Sequence, residues 1–275
     1  MTETGPTVSY VVEEGVATVT LNRPDRLNAL DPATMALLHE SIRRADRDPD
    51  ARCVVLIGAG EAFCVGADVS MVESSSLEPG KETFGDPAAG ARNVMECRKP
   101  TIAAVNGWAA GVGMAIACLC DIRIVSANAR FTTSFVRRGL IGEYGIAWTL
   151  PRIVGYGIAS DLLMSGRRIG STEAAGYGLA SMVVPADEFA ARVREYAVEL
   201  AAYCSPTSAA VLKEQLRLYA RTTFEEAVAD TTRLMAESLA RADVSEGVSS
   251  YVERRPPAFE PLIESALRSA HDKVG

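Results

Sequence analysis

Short apolar runs alternate with amphipathic stretches along the first half of the chain, and the two periodicities predict different elements. Val8–Val12 and Val16–Leu21 are rich in β-branched residues and flank Glu13-Glu14-Gly15, which is the pattern of a hairpin. Asp31-Pro32 then offers a helix N-cap with proline at the first helical position. Met35, Leu38, Ile42 and Ala45 recur on one helical face until the polar Asp46–Asp50 stretch ends it. Cys53–Ile57, Ile102–Val105 and Ile122–Val125 are continuously apolar, which predicts strands covered on both faces. A polar stretch rich in Ser, Gly, Pro and Glu, Ser74–Gly90, is expected to be a mobile surface loop. After about residue 156 the pattern turns helical, at Ala159–Ser165, Glu188–Tyr203, Thr207–Tyr219, Phe224–Ala240 and Val244–Glu253, with one strand at Met182–Val184. The apolar faces of these last helices exceed what a lone helical tail could bury within itself, so they are expected to pack on the core or on another copy of the chain.

Composition narrows the classes. With 275 residues, 48% of them hydrophobic and 23% charged, the chain has the make-up of a globular protein with a substantial core. A net charge of −7 without a basic cluster argues against nucleic-acid and anionic-membrane partners. The six cysteines form neither a CxxC redox motif nor paired zinc knuckles, so free and mostly buried thiols of a cytoplasmic protein are expected. Gly107–Cys120, the longest nearly apolar stretch, is too short to span a bilayer, and no targeting segment is visible. His39 and His271 are the only histidines, one in an amphipathic helix and one in the terminal tail. Both read as surface or structural groups, so neither a Ser-His-Asp arrangement nor a histidine metal site is expected. Carboxylates and backbone groups must therefore supply the chemistry.

The glycine-rich segments do not build a nucleotide site. Gly58-Ala59-Gly60 is followed by Phe63 where a dinucleotide fingerprint needs its third glycine, and no Gly-Lys-Ser/Thr follows any glycine run. Taken together, two segments carry more meaning. Phe63-Cys64-Val65-Gly66-Ala67-Asp68 can present the Ala67 N–H. The run from Ile102 through Gly107, Gly111, Val112 and Gly113 leads a strand into a helix N-terminus. Paired N–H donors of this kind suit a carbonyl oxygen that becomes an enolate.

These segments also carry a resemblance. Asn22-Arg23-Pro24-x-x-x-Asn28-Ala29-Leu30, Phe63-Cys64-x-Gly66-Ala67-Asp68, Lys99-Pro100-x-Ile102-Ala103-Ala104-Val105-Asn106-Gly107, Cys120-Asp121-Ile122-Arg123-Ile124 and Leu150-Pro151-Arg152-Ile153-Val154-Gly155 stand in the order of the crotonase family, the enoyl-CoA hydratase and isomerase superfamily. The resemblance implies an α/β fold, a spiral of ββα units over residues 1–200, followed by a helical trimerisation region at 201–275. It implies an acyl-CoA thioester substrate, with coenzyme A part of that substrate rather than a separate cofactor, and a homotrimer or dimer of trimers. By position, Ala67 and Val112 resemble the two oxyanion-hole donors. Arg26, Leu27 and Ala29 match the segment that meets the CoA adenine and phosphates, and Asp68 and Val69 flank the same pocket.

The sequence departs from the hydratase pattern at two positions. Where hydratases of this family place glutamates, it carries Ala115 and Phe135. Hydration needs one group to activate water and another to protonate carbon 2, so both losses argue against ordinary hydratase chemistry. Glu143, twelve residues after Phe131, resembles the single catalytic glutamate of 3-enoyl-CoA isomerases. Trp108, Phe135, Tyr144 and Trp148 are the aromatic residues expected to bury it. Three activities follow from this pattern: a shift of the double bond from carbon 3 to carbon 2, an atypical hydration, and acyl-CoA binding without turnover.

Overall fold

The computed structural model of the chain describes residues 5–68 and 87–262. The chain opens with the hairpin that the sequence predicts: β1 (Val8–Glu13) pairs antiparallel with β2 (Val16–Leu21). Helix α1 (Pro32–Arg47) begins where Asp31 accepts a hydrogen bond from the Thr34 N–H at 2.8 Å. Its last turn is closed from outside the helix. Buried Lys99 donates from Nζ to the Ala45 carbonyl at 2.6 Å and also to the Asp48 carbonyl, placing a cation on the negative end of the helix.

Three successive segments then repeat one plan, a strand in a large sheet followed by a short strand in a small one. They are β3 (Cys53–Gly58) with β4 (Ala62–Cys64), β5 (Thr101–Val105) with β6 (Trp108–Ala110), and β7 (Ile122–Ser126) with β8 (Arg130–Thr132). Helix α2 (Pro87–Met95) follows the first pair and α3 (Val112–Leu119) the second. Helices α4 (Ile146–Val154) and α5 (Tyr156–Ser165) follow the third. The remaining small elements are β9 (Ile169–Gly170), α6 (Ser171–Gly176) and β10 (Met182–Val184). The large sheet runs β1-β2-β3-β5-β7-β10, parallel beyond the hairpin, and the small one runs β4-β6-β8-β9. This is the α/β spiral of ββα units that the sequence implied.

The central strands are covered on both sides, as their unbroken apolar runs require. Val54, Leu56, Ala103 and Val105 face the cluster built with Met35, Leu38 and Ile42 of α1. Cys53, Val55, Ile102 and Ala104 face the other way, against Phe189, Val193, Ala197 and Ala201 of α7 (Phe189–Tyr203). Five of the six cysteines are buried in this core, all six are free, and Cys204 is exposed. The chain ends in α8 (Pro206–Tyr219), α9 (Phe224–Leu239) and α10 (Ala242–Glu253), and a small third cluster joins Ala210, Val211 and Leu234. No helix among the described residues is long and apolar enough to cross a membrane.

Two of the differences from the expectation have a local cause. The loop expected at Ser74–Gly90 gives way to helix from Pro87, because proline and two alanines favour a helix start there; the rest of that stretch lies outside the described residues. Helix α4 was hidden by Pro151 in its interior and by the glycines at 142 and 145 in front of it.

Candidate active site

The first donor comes from the loop after β4. Leu30 donates its N–H to the Gly66 carbonyl at 2.8 Å, and Asp68 donates to the Leu30 carbonyl at 3.0 Å. In this parallel bridge the neighbours of Ala67 make the bonds, so the N–H of Ala67 itself points away from Leu30. The second donor stands at the start of α3. Gly111, with φ +52°, turns the chain sharply out of β6, and Val112 opens a helix whose eight residues are all buried. Gly66 brings the two together: a Cβ there would lie 3.3 Å from the Val112 nitrogen. Gly113 makes the approach possible, since its Cβ would stand 2.1 Å from the Cys64 carbonyl oxygen. Among the described residues neither the Ala67 nor the Val112 N–H has a protein acceptor. Two adjacent free donors, one on the positive end of a helix, make a pocket for an oxygen that gains negative charge.

A network that sequence patterning alone did not interpret holds this loop. Arg23 donates from one guanidinium nitrogen to the Ala29 carbonyl at 2.6 Å, and it pairs with Asp31 at 3.1 Å and Asp68 at 3.2 Å. Asn28 is 1% exposed, and its φ of +56° lies in the left-handed region that asparagine tolerates. Its Oδ1 accepts from the Arg23 N–H at 2.9 Å, and its Nδ2 donates to the Ala59 and Ala62 carbonyls at 2.9 and 2.7 Å. Asn106 donates to the Gly60 carbonyl at 2.9 Å, bracing the same turn from β5. The signal for these roles was an asparagine between two apolar elements, whose three bonds become visible only in three dimensions.

The residues expected to meet CoA differ in their surroundings. Arg26 and Leu27 expose their side chains after a 3-10 turn over Pro24–Arg26, Leu27 to 44%. Ala29 is enclosed, with both backbone groups bonded to Arg23 and Arg26. Asp68 is tied to Arg23, and Val69 lies outside the described residues.

Both positions at which the sequence lacks a hydratase glutamate are apolar and buried. Ala115 is wholly enclosed in α3, and the Phe135 ring lies 3.8 Å from where a Gly111 Cβ would stand. Glu143 is half-buried ahead of α4, its carbonyl accepting from the Ile146 N–H at 3.1 Å. Burial pushes its carboxyl above the ordinary glutamate range, and among the described residues no cation pairs with it. Tyr144 beside it is buried, but two of the aromatic residues expected around Glu143 are engaged with arginines. The Arg152 guanidinium stacks 3.8 Å from the Trp148 ring centroid, and that of Arg168 sits 5.2 Å from Trp108.

Of the surface and structural readings of His39, the structural one holds. His39 is half-buried on α1, its Nε2 3.4 Å from the Tyr144 hydroxyl, and burial together with Arg43 lowers its pKa; His271 lies outside the described residues.

Residues 12–261 match the family described as Enoyl-CoA hydratase/isomerase. The chain is 36% identical over 255 residues to a probable enoyl-CoA hydratase of Rhodobacter capsulatus, covering 92% of this chain and 97% of that one. It is 35% identical to a 1,2-epoxyphenylacetyl-CoA isomerase of Escherichia coli, covering 90% and 96%. Among solved structures, an enoyl-CoA hydratase of Bacillus anthracis superposes with a TM-score of 0.88 at 27% identity, covering 93% of this chain and 99% of that one.

Proposed function

The chain belongs to the enoyl-CoA hydratase/isomerase family, and from that premise we propose that it moves the double bond of a 3-enoyl-CoA into conjugation with the thioester. The thioester carbonyl oxygen accepts from the Ala67 and Val112 N–H groups. Glu143 takes a proton from carbon 2, the resulting dienolate is held by the two donors, and the proton returns at carbon 4. No water is added and nothing is oxidised, so a single carboxylate suffices. Removing one donor of an oxyanion hole costs about 2.7–4 kcal/mol of transition-state stabilisation, which measures how much the backbone contributes here.

One observation carries this reading: Glu143 is a desolvated carboxylate without a partner cation among the described residues, while positions 115 and 135 are apolar. A buried carboxyl with a raised pKa is a better base than a solvated one. Arg26, Leu27, Ala29 and Asp68 belong in this proposal to the CoA end of the pocket, within a core of residues 1–200 in the cytoplasm; Val69, expected beside them, lies outside the described residues. The helices of residues 201–275 assemble it into a homotrimer or dimer of trimers.

Purified protein mixed with a 3-enoyl-CoA is expected to develop the absorbance of the conjugated 2-enoyl thioester. Glu143→Gln is expected to slow it about 10²–10⁴-fold, and an undiminished rate in that variant removes Glu143 from the mechanism. The hydratase names of several relatives favour a second reading, in which Glu143 activates water. Hydration of crotonyl-CoA that depends on Glu143, without isomerisation, would decide for it, and tight acyl-CoA binding with no turnover would indicate a binding protein.

A further inference from the structure

Three elements converge beside Glu143. Gly90 of α2 lies so close to α1 that a Cβ there would stand 2.2 Å from His39 Cε1 and 3.0 Å from the Tyr144 hydroxyl oxygen. That hydroxyl donates to Met35 Sδ and lies within 3.4 Å of His39 Nε2. The His39 and Tyr144 rings sit with centroids 6.2 Å apart, tilted by 36°. Tyr144 is only 5% exposed, and its φ is +52°, a left-handed conformation that a bulky side chain holds only where its surroundings impose it. A buried hydroxyl needs a partner, and Met35 Sδ and the His39 imidazole are the two side-chain groups in its reach.

The ring is therefore seated from α1 and α2 while its backbone is held in an unfavourable dihedral region, immediately after Glu143. We propose that Tyr144 is a positioning residue for Glu143: seated between Met35 and His39 beneath Gly90, its side chain fixes the 143–145 turn and with it the direction of the carboxylate. This inference rests on the reading of Glu143 as the base. Gly90 completes the device, since without a Cβ it lets α2 lie over the His39 and Tyr144 rings where they stand.

The test compares Tyr144→Leu, which removes the peg, with Tyr144→Phe, which keeps the ring and loses only the hydroxyl. With 3-enoyl-CoA, Tyr144→Leu is expected to lower kcat about 10²-fold with KM nearly unchanged, the penalty of a base displaced by about 1 Å. Tyr144→Phe is expected to recover most of that loss, to within about tenfold of the parent. A second readout does not need turnover. Amide exchange at Ile146, whose N–H donates to the Glu143 carbonyl, should quicken in Tyr144→Leu, and the Glu143 carboxyl NMR signal should titrate closer to the ordinary range. If Tyr144→Leu fails to fold, the same measurements on Tyr144→Phe decide, with a milder loss in the same direction expected. Unchanged kcat in folded Tyr144→Leu, or in Tyr144→Phe where the leucine variant does not fold, with Glu143→Gln inactive, overturns the positioning role and leaves the isomerase reading standing. If the parent shows no turnover that depends on Glu143, the isomerase reading fails instead, and unchanged exchange and titration in the variants would then overturn the positioning role as well.

Discussion

Glu143 links activity and stability with opposite signs. Its carboxyl is raised by burial, and a base works only when ionised. The rate is therefore expected to fall on the acid side of a pKa above the ordinary glutamate range and to level off above it. Stability runs the other way. The folded state holds this proton more tightly than the unfolded chain does, so ionising Glu143 weakens the fold at pH above the raised value. That penalty disappears as pH falls below the ordinary one. Glu143→Gln is thus expected to raise Tm at about pH 8, with the difference closing toward about pH 4, as read by scanning calorimetry at both. A lower Tm at the alkaline end would mean that the carboxylate makes a favourable contact. The candidate base was legible through the family resemblance of its place after Phe131, whereas the lack of a partner cation among the described residues was not, because ion pairs join residues far apart in sequence. Arg23 with Asp68, separated by 45 positions, shows the same limit.

Elements with strong periodicity or clear end signals lay open in the sequence. The β1–β2 hairpin, α1 with its Asp31 cap, and the continuous apolar strands all form where the pattern places them. Elements whose own residues argue against them did not. Helix α4 holds a proline, and α2 holds Gly90 in its middle, kept there by close packing rather than by propensity. The turns between elements depend on side chains that replace backbone partners, and Asn28 is the clearest of them. Asn28→Ala would strip partners from the Arg23 N–H and from the Ala59 and Ala62 carbonyls. It is expected to destabilise the protein by about 2–3 kcal/mol, measured by urea titration, because buried polar groups would be left unsatisfied. The loop that carries Ala67 leans on this turn, so activity should fall with it.

Across the whole molecule, one sheet separates two apolar clusters, and the helices after α7 add little to either. What they leave open is large: Leu216 of α8 is 80% exposed, Phe224 of α9 79%, and Tyr251 of α10 85%. Apolar surface of this extent on consecutive helices calls for a partner surface. Light scattering is expected to give the mass of three or six chains, and Leu216→Glu combined with Phe224→Glu is expected to release monomers; a monomeric parent protein would refute the assembly.

By itself the sequence determined the α/β class of the fold and the two segments able to present backbone N–H groups, because these rest on local periodicity and turn residues along the chain; it pointed to Glu143 only through the resemblance to isomerases of the family. Only the tertiary structure decided that Gly66 sets the loop of Ala67 against the Val112 nitrogen, that Asp68 belongs to Arg23, and that a tyrosine beside Glu143 is seated by a histidine 105 positions earlier. Such contacts depend on how the layers close on one another. No window along the chain contains both partners, and the free energy that selects them, burial with its polar groups satisfied, belongs to the packed molecule.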